Sequence, residues 1–148
     1  MTRRLRVMFI LPWLLLATAA PAAESIILSA DQTQAVTQQC ARAVPQGIEG
    51  TWQLDQSDAE KLDVEVRHLP SQTVGAAIIR MPYTSERQYL GVVIGGKSLV
   101  YINGYPPGAM QALGGAVVTC GRGSAYWGAL YDPKTRQFSQ FEANSSGR

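Results

Sequence analysis

The chain has 148 residues, 46% of them hydrophobic, with 13 lysines and arginines against 11 acids, and two cysteines. That length serves one domain with an ordinary core rather than several. Arg3, Arg4 and Arg6 sit at the extreme N-terminus. The remainder carries ten basic against eleven acidic residues, without the sustained basic surface of a general nucleic-acid binder.

The basic run MTRRLR is followed by the apolar run VMFILPWLLLATAA at 7–20. Small residues then recur as Ala17-Thr18-Ala19 or Ala20-Pro21-Ala22. This order predicts a secretory signal peptide over 1–22, cleaved after residue 19 or 22. The apolar run falls short of the roughly 20 residues that cross a bilayer as a helix. No cysteine lies beside it for a lipid anchor. The expectation is a single exported domain at 23–148, periplasmic or secreted and not held in a membrane after cleavage. The tail at 144–148 should be loose.

In chain order, SIIL at 25–28 reads as a short strand or arm. A helix is expected from Ser29 or Asp31 through Cys40 to Ala43, stopped by Pro45 and Gly47. A second is expected over 57–69. Ser57 and Glu60 can form a capping box, and Ala59, Leu62, Val66 and Leu69 make a one-sided apolar stripe ended by Pro70. LDVEV within it also alternates like a strand. Strands are expected at 74–81, 88–95, 98–104, 115–121, 125–132 and 137–143, joined by tight turns at Gly95-Gly96-Lys97 and Asp132-Pro133-Lys134-Thr135. Short connections imply antiparallel neighbours. The predicted class is α+β: an antiparallel meander of five or six strands with two N-terminal helices packed on one face. Leu90, Val92 and Ile94, with Val100 and Ile102, should form the helix-covered core. Tyr101 would then lie on the opposite side, and Trp127 and Tyr131 share a face of their own strand.

Cys40 and Cys120 are the only cysteines, and in an oxidising compartment such a pair closes a disulfide. A cysteine nucleophile needs a base, and His68 is the only histidine. Two distant cysteines and one histidine lack the clustered spacing of structural zinc, and neither a metal nor a cofactor is expected. Gly121-Arg122-Gly123-Ser124 is followed by a predicted strand rather than a helix, unlike a P-loop, which leaves Arg122 at an exposed turn. Glu86, Asp132 and Glu142 lie at strand ends, where a carboxylate pair for a small wall hydrolase could meet.

Two further features point to binding. Six acids over 49–66 face Lys61 alone, and Asp58 and Asp63 could steer a basic partner. In NGYPPGAMQALGG at 103–115, stiff prolines flank Tyr105 and Met110, which offer apolar contact area. The expected function is binding of another protein, as an inhibitor or immunity-type protein directed at a basic cell-wall hydrolase. The alternative is a carbohydrate or small-ligand module that exposes Tyr101, Trp127 and Tyr131 together.

Overall fold

The computed structural model describes residues 25–80, 82–109 and 115–146, with Tyr83 described by its backbone alone. The expected signal peptide and Met110 lie outside these residues. The fold is α+β: two helices and a mostly antiparallel six-stranded sheet. Strand β1 spans Ser25–Ile27 and β2 spans Ile48–Thr51. The long hairpin strands are β5 (Glu86–Ile94) and β6 (Lys97–Tyr105), followed by β7 (Trp127–Asp132) and β8 (Gln137–Ala143). The order runs β5-β6-β7-β8, and β1 and β2 share the outer edge of β5. β1 runs parallel there, with Ser25 opposite Arg87. β2 was not expected from the sequence.

The β5–β6 turn contains two residues, Gly95 and Gly96, both at positive φ. Such a turn matches the twist of the strands it joins. It pairs Ile94 with Lys97, so every odd-numbered position of β5 faces an even-numbered one of β6. This corrects the expected faces. Tyr89, Val100, Ile102, Trp127, Ala129 and Tyr131 share one core cluster, while Leu90, Val92, Tyr101 and Leu130 share another.

Helix α2 (Gln56–Arg67) supplies Ala59, Leu62 and Val66 to the first cluster. The stripe therefore reads as a helix, not as the rival strand. Its cap differs from the expected one. Asp55, not Ser57, is the N-cap, accepting the Asp58 amide at 2.8 Å. Helix α1 (Thr33–Thr37) is shorter than predicted and supplies Val36 to the second cluster. The apolar residues of α2 and Val36 of α1 thus belong to different core clusters.

Two expected strands are replaced. Of the strand expected at 74–81, the described residues 74–80 do not enter the main sheet, because Gly75 at positive φ breaks them into a hairpin of β3 (Gln72–Val74) and β4 (Ala77–Ile79). The described part of 115–121 has no ladder and runs as coil across the second face.

Candidate functional site

A coil that crosses a sheet face must find partners for its peptide groups outside any ladder. Here interior amide side chains provide them. Asn103 on β6 donates from Nδ2 to the Gln88 Oε1 at 3.0 Å and to the Val117 carbonyl at 2.9 Å. Gln88 accepts the Val117 amide at 2.8 Å and donates to the Gly115 carbonyl at 2.8 Å. Asn144 donates to the carbonyls of Thr119 and Gly121, and Gln39 donates to those of Val36 and Val117. At the centre, Arg42 donates from Nη1 to Asn144 Oδ1 at 2.6 Å and from Nη2 to Asn103 Oδ1 and the Tyr101 hydroxyl. Gln39, Arg42, Gln88, Asn103 and Asn144 are all buried.

The network fixes the strands of coil at 38–46 and 115–125, and a disulfide ties them together. Cys40 and Cys120 are joined with Cα atoms 5.1 Å apart, and both residues are exposed. Arg122 follows in the left-handed region at φ 68° and projects into solvent. A second rigid element stands beside it. Tyr105 is buried with Val117 and Tyr126, and the chain then turns at Pro106–Ala109. That turn is held by Ala109 donating to the Pro106 carbonyl at 3.2 Å and by Gly108 donating to Glu86 Oε1 at 3.0 Å. Between turn and coil lies a groove of about 360 Å³, with Ala109, Val117 and Tyr126 along it and Arg122 at its border. The structure thus brings together Tyr105, Cys120, Arg122 and the Pro-Gly turn.

It presents none of the aromatic candidates: Tyr105, expected to offer contact area, is itself only 1% exposed. Tyr101, Trp127 and Tyr131 are 2%, 1% and 6% exposed. The indole of Trp127 donates to Ser85 Oγ at 3.0 Å within the core. The sugar-binding alternative required these rings exposed together, and their burial removes that platform.

The acids of 49–66 are largely engaged within the molecule. Asp63 turns inward, receiving Arg87 at 3.0 Å, the Tyr89 hydroxyl at 2.5 Å and Ser25 Oγ at 2.6 Å. Burial pushes the Tyr89 phenol well above the usual tyrosine range, and the carboxylate of Asp63 adds to that effect against the opposing charge of Arg87. Asp58 pairs with Lys61 at 2.8 Å, and Glu65 pairs with Arg136. Glu49 accepts the amides of Gly95 and Gly96.

The strand-end acids go to three separate tasks or places. Glu86 holds the Pro-Gly turn, and Asp132 accepts the amides of Lys134 and Thr135, which lower its carboxyl below the usual range. Glu142 lies on β8 opposite Gly128. His68 is the exposed C-cap of α2, and both cysteines are in the disulfide.

The sequence reading missed the amide network. Its one legible signal was Gln88 and Asn103, polar residues placed in strands beside Leu90 and Tyr101. The chain matches no family model, no curated protein and no solved structure at a significant level. No helix among the described residues is long and apolar enough to cross a membrane.

Proposed function

We propose that this chain is a small exported domain that binds another protein, as an inhibitor or immunity-type protein of a bacterial periplasm, through the surface around Arg122. The observation that supports the reading most is the rigidity of that surface. The disulfide, the amide network beneath it and the twice-bonded Pro-Gly turn hold exposed backbone in place before any partner arrives. Preorganisation of this kind reduces the ordering cost of association. Arginine at the centre of such a surface is a frequent source of binding energy. The order of charge, apolar run and small residues at the N-terminus supports export, and a disulfide suits an oxidising compartment. A wall hydrolase remains the class of partner proposed. Because Asp58, Asp63 and Glu65 are paired internally, the reading rests on contact at Arg122 rather than on steering by α2.

The test is affinity capture from periplasmic extract with the oxidised protein as bait, beside Arg122→Glu. A saturable protein partner should be recovered, and Arg122→Glu should weaken its capture by about tenfold or more without changing the melting temperature. Retention of glycans with no protein, or turnover of peptidoglycan by the pure protein, would overturn the proposal.

A further inference from the structure

The coil at 115–121 has the hydrogen-bonding period of a strand, although it enters no ladder. The carbonyls of Gly115, Val117, Thr119 and Gly121 all accept interior amide side chains: Gln88 at 115, Asn103 and Gln39 at 117, and Asn144 at 119 and 121. The Val117 amide donates to the same side, to Gln88 Oε1 at 2.8 Å. In an extended chain, alternate residues direct their peptide groups to opposite edges. The odd-numbered residues thus face the protein. The amides and carbonyls of the even-numbered ones, Ala116, Val118 and Cys120, meet no hydrogen-bond partner among the described residues. One edge of this segment is met by side chains, and the other is open.

The groove of about 360 Å³ runs along that segment at Val117, Val118 and Thr119, with Gly108 and Ala109 of the Pro-Gly turn as its other wall. An unladdered edge takes an added strand through main-chain hydrogen bonds, and pockets beside it select the side chains. Charge decides which strand. Arg122 lines the groove, is exposed and has no ion pair among the described residues. It is also the only charged residue in 115–125, so a second copy pairing along the same edge would bring a cation and no acid. A segment with a carboxylate answers both the open edge and the charge.

We infer that 116–120 is a strand edge held open for a partner protein, which adds to it an extended segment carrying an acidic side chain. The main chain of that segment bonds to the amide and carbonyl of Val118. Its carboxylate pairs with Arg122, and an apolar side chain enters the groove beside Ala109 and Tyr126. Resting on the reading of the Arg122 surface as protein-binding, this names the element of the partner that the surface meets. Positive φ at Gly121, Arg122 and Gly123 turns the chain away after Cys120, so the added segment is short.

The experiment is selection of random peptides displayed on phage against the oxidised protein, followed by amide-resolved NMR titration with the most enriched peptide made synthetically. Enriched peptides should share an aspartate or glutamate, with apolar residues at alternate positions. The synthetic peptide should move the amides of Val118, Thr119 and Ala109. N-methylation of its single peptide bonds should weaken binding about tenfold at alternate positions and little at those between, because only alternate amides of an added strand face the edge. Arg122→Glu, or replacement of the peptide's acid by its amide, should weaken binding by about tenfold. No enrichment, unmoved amides at Val118 and Thr119, or N-methyl effects without alternation overturn the inference. Unchanged affinity in Arg122→Glu overturns the pairing with an acid. Movement of the same amides with protein concentration alone overturns it in favour of a second copy. If periplasmic capture yields no protein while peptides bind as described, the inhibitor reading falls and the open edge stands. If a protein is captured and the peptide does not displace it, the open edge falls and the inhibitor reading stands.

Discussion

One face of the sheet is covered by a helix and the other largely by coil, and the chemistry beneath them differs accordingly. Helix α2 satisfies its own peptide groups, so its contact with the sheet is mainly apolar: Ala59, Leu62 and Val66 against Tyr89, Ile102, Trp127 and Ala129. A polar cluster there, Asp63 with Arg87, Tyr89 and Ser25, sits toward the start of β5. Across the sheet, 38–46 and 115–125 have no ladder, and the interior offers Gln39, Arg42, Gln88, Asn103 and Asn144 to their carbonyls and amides. A polar interior of this kind holds a coil in one conformation, because an unpaired buried group is penalised more than a paired one is rewarded. The surface proposed to bind a partner lies over this second face.

The comparison breaks most sharply at the disulfide. Replacing both cysteines, Cys40→Ser with Cys120→Ser, should reduce the unfolding free energy by about 2–5 kcal/mol in urea titration. A loss under about 1 kcal/mol would show that the amide network alone holds the coil. On the helix-covered face, Leu62→Ala should cost about 3 kcal/mol by the same measurement, the ordinary cost of a cavity in an apolar contact. On the coil-covered face, Asn103→Leu should cost about 2 kcal/mol although it adds apolar surface. It leaves Arg42 Nη2 and the Val117 carbonyl each short of a partner. If Asn103→Leu proved neutral, the network would not be what positions the coil.

The smallest effect concerns the polar cluster under α2. Tyr89→Phe removes a hydroxyl that donates to Asp63 and accepts from Arg87 Nε at 2.9 Å, and should cost about 1 kcal/mol at neutral pH. Because the folded phenol ionises above its unfolded counterpart, its contribution is complete below the ordinary tyrosine value of about 10. It falls as pH rises from there toward the folded value. The variant should therefore lose less stability than the parent between neutral and alkaline pH, as followed by thermal melts. An identical alkaline slope would place the titration elsewhere.

Much of the helix-covered half was legible. The 59, 62, 66 stripe needs only helical periodicity, and the β5–β6 hairpin needs only the Gly95-Gly96 turn. The faces were legible too, had the two-residue turn been carried through to the pairing of Tyr89 with Ile102. The coil-covered half was not. VVTC at 117–120 has the composition of a strand, but its peptide groups pair with the side chains of Gln88, Asn103, Gln39 and Asn144 instead of a ladder. Arg42 carries no local sign of burial, since its partners come from β6 and from the end of β8, 59 to 102 residues away. The exposure of Arg122 was legible from its glycine neighbours, whereas the burial of Tyr101 and Trp127 was not, because alternation gives faces and not what covers them.

Hydrogen exchange, compared segment by segment between the oxidised protein and the Cys40→Ser, Cys120→Ser variant under conditions where both are folded, tests the account most directly. Faster exchange should appear in 38–46 and 115–125, with α2, β5, β6 and β7 unchanged. Acceleration spread evenly over helix and sheet, or none in the coil, would contradict the claim that the disulfide and the amides beneath it hold that surface as a unit.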